Sequence, residues 1–444
     1  MRVSAGWCRM MGLVTVLASM SLSSGVSAFD YDRAAVDSVA TVIPDRIVLT
    51  WNGDPATSAA VTWRTNTQIV TSEAEIAKAV GSPNFRLYAT RTGASMERFE
   101  AAGYAFHSHT VTFENLDPAT QYAYRVGSGE IWSEWFHFRT AHAGPAPFTF
   151  AYFGDAQNNL LSLWSRTIRA AYAEAPKADF FLHAGDLVNV GDRDSEWSEW
   201  FEAGDFIHAT IPVIATPGNH EYPKQKDGSR RLSNKWRYTF AFPENGPENL
   251  SETVYYIDYH DARIISLNSN EERGDQVDWL EDVLESNTKT WTFVTFHHPI
   301  YSTKVGRDNT KLRALWKPIL DEYEVDLVLQ GHDHTYGRGA NVATGRKMRD
   351  GEVGPMYVVS VSGPKMYELT EREWFDRGAE NSQLYQVIHV DENKLEYQAY
   401  LATGELYDAF DLIKQDGRSN RLVDRTPKTP RRRDDNTLDK PKKK

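Results

Sequence analysis

The sequence predicts a two-domain protein, in which an all-β sandwich is followed by a layered α/β domain built on a β-sandwich flanked by helices. From 40 to 140, short runs of β-branched and aromatic residues are separated by turn-forming Gly, Pro, Asn and Asp, which is the pattern of a sandwich. From 146 to 402, strand-like apolar runs alternate with longer helical stretches, which is typical of a layered α/β domain. A chain of 444 residues also exceeds the size of one ordinary core.

The first 28 residues are interpreted as a secretory signal peptide. Arg2 and Arg9 are their only charged residues, an apolar stretch follows over 11–22, and the sequence Val26–Ala28 offers a small-residue cleavage site. An uncleaved N-terminal anchor is the alternative. No later segment reaches the ~20 apolar residues that cross a bilayer. We therefore expect a secreted or periplasmic protein without a transmembrane segment.

The cysteine content and the net charge exclude thiolate metal sites and argue against nucleic-acid binding. Cys8 is the only cysteine and lies within the signal, so the domains would have no disulfides and no thiolate ligands. Any metal would then be held by oxygen and nitrogen atoms. The net charge is −12, although nine basic residues are concentrated in 425–444, so the domains themselves are strongly acidic. An acidic body argues against a specific nucleic-acid partner, because binding phosphate backbones requires basic surface.

The first domain is predicted to consist of short strands joined by turns. Turns are predicted at Asn52–Pro55, Leu116–Pro118 and Gly127–Gly129. The predicted strands are Ile47–Thr50, Ala60–Arg64, Phe85–Ala89, His109–Phe113, Tyr122–Val126 and Trp135–Arg139. A Gly- and Pro-containing stretch, Ala141–Pro147, is the predicted linker to the second domain.

The second domain is predicted to alternate strands with helices. The predicted strands are Phe148–Phe153, Phe180–His183, Val213–Thr216, Val254–Tyr259, Arg263–Asn268, Thr292–Phe296, Asp326–Gln330, Met356–Val361, Leu384–Val390 and Leu395–Leu401. The predicted helices are Leu161–Ala175, Ser195–His208, Asp275–Ser286 and Lys311–Glu322. The basic tail, 425–444, has almost no apolar residues and is expected to be disordered.

Polar residues that can bind a metal directly follow five of these strands. They are Asp155, Asp186, Asn219 with His220, His297 with His298, and His332 with His334. Ligands in open α/β domains gather at the carboxyl ends of strands, so we expect these side chains to meet. The alternative is that they are ordinary loop and capping residues.

This set of side chains suits a pair of metal ions. Carboxylate and amide oxygens together with imidazole nitrogens can hold ions such as Fe, Zn or Mn. A carboxylate that bridges two ions holds them about 3.5–4 Å apart, and two such ions that activate one water hydrolyse phosphate esters. The sequence therefore predicts two metal ions as cofactors and a small phosphate ester as substrate.

The motifs also resemble a known family. Gly154-Asp155, Gly185–Asn189, Gly218–Glu221, His297–Tyr301 and Gly331–Tyr336 follow the order found in calcineurin-type metallophosphoesterases. In the first domain, Val61–Trp63, Asn115–Val126 and Trp135–Thr140 resemble a fibronectin type III-like module. A module of this kind before the phosphoesterase motifs resembles the purple acid phosphatase group.

The resemblance implies roles for individual residues. One metal would be held by Asp155, Asp186 and His334. The second metal would be held by Asp186, Asn219, His297 and His332, so that Asp186 bridges the two. His220 would lie beside the substrate as a transition-state stabiliser or proton donor.

The sequence departs from the family pattern at two positions. Asn189 stands where purple acid phosphatases have a tyrosinate ligand, whose charge transfer to ferric iron gives their colour. A neutral amide gives no such band, so we expect a colourless protein whose first metal is not identified by the sequence. Gln157 stands where the first motif often has Gly.

The expected function is that of a secreted, acid-phosphatase-like enzyme that hydrolyses phosphate monoesters by attack of a metal-bound hydroxide. The first alternative is a phosphodiesterase acting on nucleotides or phospholipid head groups. The second is an adhesive or binding protein with an inactive phosphatase fold. The sequence does not predict the oligomeric state or the pH optimum.

Overall fold

The computed structural model of the chain describes residues 39–101, 103–340 and 351–436. The predicted signal peptide and Cys8 therefore lie outside the described residues. Within the described ranges, no helix combines the length and apolar character needed to cross a membrane. The predicted two-domain fold is confirmed.

The first domain is a sandwich of two antiparallel sheets. One sheet has the strand order β1-β2-β6-β5, and the other has the order β4-β3-β7-β8 with β9 also paired to β7. The strands are β1 (Asp45–Thr50), β2 (Ala59–Thr65), β3 (Glu73–Lys78), β4 (Thr90–Gly93), β5 (Ser95–Ala101), β6 (Tyr104–Phe113), β7 (Gln121–Ser128), β8 (Ile131–Trp132) and β9 (Phe136–Arg139).

The sandwich core is aromatic and aliphatic. Trp63 is buried in it together with Val61 and Val126. The hydroxyl of Tyr122 accepts a hydrogen bond of 2.9 Å from the backbone N–H of Asp117, which fixes the turn before β7. The fibronectin type III assignment of this sandwich stays a prediction.

One predicted strand of the first domain is wrong. Residues Pro83–Tyr88 form a 3₁₀ helix with no buried residue, where Phe85–Ala89 was predicted to be a strand. The side chain of Ser82 caps this helix by accepting from the N–H of Asn84, and Pro83 favours a helical start. The apolar residues of this segment remain largely exposed, so they gain nothing from pairing with a sheet.

In the part of the second domain that the structure describes, the strands form two eight-stranded mixed sheets. Their strand orders are β12-β11-β10-β21-β22-β23-β24-β18 and β13-β14-β15-β16-β19-β17-β20-β25. The strands are β10 (Phe148–Phe153), β11 (Phe180–His183), β12 (Val213–Ala215), β13 (Tyr255–Tyr259), β14 (Ala262–Ser266), β15 (Trp291–Phe296), β16 (Leu327–Gln330), β17 (Tyr336–Ala340), β18 (Glu352–Val353), β19 (Met356–Val359), β20 (Arg377–Glu380), β21 (Leu384–Asp391), β22 (Lys394–Leu401), β23 (Leu406–Gln415), β24 (Arg418–Asp424) and β25 (Arg432–Asp434).

The described residues of this domain form six α-helices. They are α1 (Ser165–Glu174), α2 (Asp194–Gly204), α3 (Phe206–Thr210), α4 (Lys235–Thr239), α5 (Val277–Glu285) and α6 (Thr310–Glu322). A π-helical turn at Leu160–Trp164 precedes α1, and a 3₁₀ turn lies at Glu248–Leu250. The single helix predicted over Ser195–His208 is split into α2 and α3, because Asp205 has a left-handed φ of 50°.

Successive side chains of β15 belong to two different hydrophobic cores of the second domain. Phe293 of β15 packs against Phe150 of β10, with ring centroids 5.5 Å apart, and so belongs to the core between the two sheets. The next residue, Val294, belongs to a second core with Leu280 of α5 and Trp316 of α6. Successive side chains of a strand point to opposite faces, so β15 is buried on both sides. This rigid core fixes the loops that follow the strands.

The second domain extends beyond residue 402, where the sequence analysis ended it. Strands β23 and β24 continue the first of its sheets. Disorder was expected from 425 onwards, but β25 pairs in parallel with β20, and this part of the expectation is wrong. The basic side chains find acidic partners, since Arg432 contacts Glu380 at 2.7 Å and Arg433 contacts Glu405 at 2.8 Å. Residues 437–444 lie outside the described residues.

The strands with predicted site residues end at a common edge. Strands β10, β11 and β12 are parallel to one another, and so are β15 and β16. Backbone hydrogen bonds join neighbouring strands at this edge, from Ala184 to Phe153 at 2.9 Å and from Gly331 to His297 at 3.1 Å. The loops that carry the polar residues are thereby held next to each other.

Candidate metal centre

The structure brings acidic and histidine side chains together into two overlapping groups. Asp155, Asp186 and His334 form the first group, and Asp186, His297 and His332 form the second. Within each group, the candidate ligand atoms all lie within 4.8 Å of one another. Asp186 belongs to both groups, which places it at the centre of the cluster.

Short distances connect the cluster further. Nε2 of His297 lies 3.2 Å from Oδ2 of Asp186 and 3.9 Å from Oδ1 of Asp155. Nε2 of His334 lies 3.9 Å from the same Oδ1. The amide oxygen Oδ1 of Asn219 is 3.2 Å from Nε2 of His297. All six residues that the sequence analysis proposed as metal ligands are thus in one place.

Backbone hydrogen bonds fix one oxygen of each carboxylate. The N–H of His332 donates to Oδ2 of Asp155 at 2.6 Å, and the N–H of His220 donates to Oδ1 of Asp186 at 2.8 Å. The other oxygen of Asp155, Oδ1, is buried and has no hydrogen-bond partner among the described residues. The two carboxylates therefore turn their remaining oxygens towards the imidazole nitrogens.

Carbonyl groups set the tautomers of two histidines. Nδ1 of His297 lies 2.9 Å from the carbonyl oxygen of Ala184, and Nδ1 of His334 lies 2.9 Å from that of Lys365. A carbonyl oxygen only accepts, so the Nδ1 atoms carry the protons and the Nε2 lone pairs face the cluster in the neutral rings. Histidines that ligate metals are usually oriented in this way.

Three residues of the cluster have left-handed backbones. The φ angles are 52° for Asp186, 77° for His332 and 50° for His334. Non-glycine residues rarely adopt this region, and such strain concentrates at functional sites. The turns that contain these left-handed residues direct their side chains towards one another.

A glycine allows the close approach of two loops. A Cβ atom on Gly218 would lie 2.1 Å from Oδ1 of Asp186, which is far inside van der Waals contact. The same loops are tied by Glu221, a fully buried residue whose Oε2 accepts from the N–H groups of Asp186 at 2.9 Å and Gly218 at 2.7 Å. Burial, and then the charge of Asp186, raises the pKa of Glu221 to about 7.

The electrostatics of the cluster call for positive charge. Burial raises the pKa of Asp155 well above its usual range. Burial alone would lower the pKa of His297, but the carboxylates of Asp186 and Asp155 outweigh it and raise that pKa to about 9. Buried carboxylates and lone pairs facing one another are costly unless a cation compensates them. The donor set, which is rich in oxygen and imidazole nitrogen, therefore fits divalent or trivalent metal ions.

His220 lies at the open side of the cluster. Its side chain is 25% exposed, whereas those of Asp186 and His297 are at most 1% exposed. Nε2 of His220 lies 3.9 Å from Oδ2 of Asp186, and its Nδ1 is hydrogen bonded to the carbonyl oxygen of Asn189. The ring is thus held by the backbone and has one nitrogen on the cluster side.

Two residues of the site were not identified as such from the sequence. Gln157 is fully buried and its amide contacts both Asp186 and His334. The sequence signals for Gln157 are its position two residues after Asp155 and its replacement of the Gly that the first motif often has. Tyr367 packs on His334 with ring centroids 4.6 Å apart, and no motif marks it, because it lies more than thirty residues beyond the last histidine pair.

Comparisons with known proteins match two segments of the chain to known families. Residues 148–336 match the calcineurin-like phosphoesterase family, and residues 44–140 match the purple acid phosphatase N-terminal domain. A purple acid phosphatase of Glycine max is 28% identical over 249 residues, covering 53% of each chain. The Fe(3+)-Zn(2+) purple acid phosphatase 12 of Arabidopsis thaliana is 28% identical over 254 residues, also with 53% of each chain covered.

A solved structure shows the same fold. The purple acid phosphatase PPD1 from seeds of yellow lupin, Lupinus luteus, superposes with a TM-score of 0.70 at 19% identity, covering 83% of this chain and 74% of that one. The chain spans about half the length of the two curated relatives named above.

Proposed function

Because this chain carries a calcineurin-like phosphoesterase domain behind a purple acid phosphatase N-terminal domain, we propose that it is a dinuclear-metal enzyme that hydrolyses phosphate monoesters. The observation that carries the proposal is that two metal-binding groups share Asp186. Secretion, or export to a periplasm, is part of the proposal and rests on the signal-like residues 1–28.

The proposed first metal is held by Asp155, Asp186 and His334. The proposed second metal is held by Asp186, Asn219, His297 and His332. Support for the first set comes from the partnerless Oδ1 of Asp155 and the 3.9 Å between that atom and Nε2 of His334. Support for the second comes from three donor atoms around Nε2 of His297, which belong to Asp186, Asn219 and His332 and lie 3.1–3.2 Å from it.

Two metal ions held by these residues would supply Lewis acidity towards phosphoryl oxygens and would lower the pKa of a water molecule. The protein supplies the proton chemistry through His220. Its Nδ1–H donates to the carbonyl of Asn189, so Nε2 carries a proton only in the imidazolium form. In that form His220 donates to a phosphoryl oxygen or protonates the leaving oxygen.

A basic rim beside the first metal group favours anionic substrates. Nζ of Lys304 lies 3.8 Å from the ring centroid of Tyr367, Nζ of Lys365 lies 5.7 Å from it, and the guanidinium carbon of Arg307 lies 5.8 Å from it. Tyr367 in turn packs on His334. Although the chain as a whole is acidic, this local positive charge attracts a phosphate ester to the cluster.

The test is a phosphate-release assay on the purified, metal-loaded protein. The proposal expects turnover of p-nitrophenyl phosphate that exceeds turnover of bis-p-nitrophenyl phosphate, and loss of both in Asp186→Asn. Faster cleavage of the diester would instead favour the phosphodiesterase alternative. A wild-type protein that holds two ions and turns over neither ester would favour the binding protein with an inactive phosphatase fold.

A further inference from the structure

Gln157 has an unusual environment for a glutamine. The residue is 0% exposed, and its amide nitrogen Nε2 lies 2.8 Å from Oδ2 of Asp186 and 3.1 Å from Nε2 of His334. Both contacts belong to the first metal group, which also contains Asp155. The Gln157 amide therefore reaches the atoms that would surround the first metal.

The other end of the amide is unsatisfied. Oε1 of Gln157 is buried without a hydrogen-bond partner among the described residues, as is Oδ1 of Asp155. The oxygen and nitrogen of a glutamine amide exchange places by rotation of the terminal torsion, and they have almost the same size. Rotation of this torsion by about 180° places Oε1 where Nε2 was, 2.8 Å from Oδ2 of Asp186 and 3.1 Å from Nε2 of His334. In that position Oε1 is a fourth lone-pair donor, beside the two carboxylates and the imidazole of the first metal group.

We propose that Gln157 is a ligand of the first metal through Oε1 and completes the set of Asp155, Asp186 and His334. This inference rests on the proposed dinuclear centre. The backbone of Asn189 is engaged elsewhere, since its carbonyl accepts from His220 and its N–H donates to Glu196 at 2.7 Å. No hydrogen bond joins the Asn189 side chain to the cluster in the part of the chain that the structure describes.

The ligand chemistry predicts which ion fits. Three oxygen donors and one imidazole suit a hard divalent ion such as Mn²⁺. An amide oxygen is neutral, so this set carries one negative charge fewer than a set in which the fourth ligand is a tyrosinate. The first site should therefore prefer a divalent ion to ferric iron.

The test measures Mn²⁺ binding to full-length protein stripped with a chelator, using isothermal titration and the electron paramagnetic resonance of free Mn²⁺. Wild type is expected to bind two ions. Gln157→Leu should weaken one of the two sites by 10–100-fold and leave the other within about threefold of wild type. Gln386→Leu is the matched control, since Gln386 is also fully buried with a partnerless Oε1 but its amide nitrogen bonds Ser360.

Gln157→Glu keeps the proposal testable if the leucine variant does not fold. If residue 157 ligates the metal, the glutamate gives that metal a charged oxygen in place of a neutral one. The Mn²⁺ affinity of one site should then rise. If Gln157 served only as an N–H donor to Asp186, the new carboxylate would repel that residue and Mn²⁺ affinity would not rise. Two unchanged sites in Gln157→Leu would overturn the proposal, whereas fewer than two sites in wild type would overturn the dinuclear centre itself.

Discussion

The backbone N–H of His220 donates a hydrogen bond of 2.8 Å to Oδ1 of Asp186. The residue proposed to contact the substrate is thus tied, through its main chain, to the carboxylate proposed to bridge the metals. The imidazole of His220 contributes nothing to this bond. Metal binding and proton donation at this position can therefore be separated by mutation.

His220→Ala should keep the metals and lose activity. Alanine retains the N–H that holds Asp186, so the metal content per chain should equal that of wild type. Removal of the imidazole deletes a general acid, for which a fall in kcat of about 10²–10⁴-fold is expected. Elemental analysis and steady-state kinetics on the same sample check both parts. Loss of metal in this variant would contradict the separation.

Gly218→Ala should disrupt the cluster by steric conflict. Its Cβ would lie 2.1 Å from Oδ1 of Asp186 and 2.3 Å from the backbone nitrogen of the same residue. The carboxylate has to move, and we expect at least a tenfold loss of metal affinity, measured by titration of metal-free protein. Gly274→Ala is the matched control, because a Cβ there meets nothing within 4 Å. Equal affinities in both variants would show that the position of Asp186 is not restricted by Gly218.

The buried ion cluster between β1, β2, α2 and α4 should make stability depend on Asp194. Its carboxylate contacts Arg46 at 2.8 Å, Arg64 at 3.3 Å and Lys235 at 2.7 Å. Removal of one partner from a buried ion cluster costs about 3–5 kcal/mol, so Asp194→Asn should lower the free energy of unfolding by that order at pH 7. Urea denaturation of both proteins measures the difference.

The same contacts predict how that difference changes with pH. Burial alone would raise the pKa of Asp194, but Arg46, Lys235 and Arg64 outweigh it and hold the pKa below its usual value. A depressed folded-state pKa gives stability that is present above about pH 4 and is lost as pH falls below it. The gap between wild type and Asp194→Asn should therefore shrink on acidification below pH 4. A gap that stays constant down to pH 2 would contradict this assignment.

Protein loaded with ferric iron should show no tyrosinate charge-transfer band. Asn189 occupies the position of the tyrosinate, and its neutral amide gives no such transition. A visible absorption spectrum of the iron-loaded protein checks this, with the metal-free protein as the blank. A strong band in the visible region would mean that another tyrosine reaches the metal, and Tyr367 on His334 would be the first to mutate.

The sequence predicts the strands of the core well because they are buried on both faces. Phe148–Phe153 and Phe180–His183 are continuous apolar runs, and the structure has both with the predicted bounds. Strand β3, with the sequence EAEIAK, was missed because its residues favour a helix. Only tertiary packing of Ala74 and Ile76 into the sandwich selects the extended form.

The candidate site could be predicted where a motif and a strand end coincide. Asp155 and His297 each follow a strand directly, and their meeting is a consequence of the parallel sheet. Gln157 was noted only as a departure from a pattern, since its role depends on the distance to His334, which is 177 positions away in the sequence. Contacts between distant loops are set by the assembled core, and no local pattern contains them.

Asp186 is the residue proposed to hold two metal ions at once. The most direct test of this role is the number of ions bound per chain in wild type and in Asp186→Ala, with the exposed Asp278→Ala as the control. We expect two ions in wild type and in the control, and severe loss of affinity at both sites in Asp186→Ala. An Asp186→Ala protein that still binds one ion with unchanged affinity would contradict it.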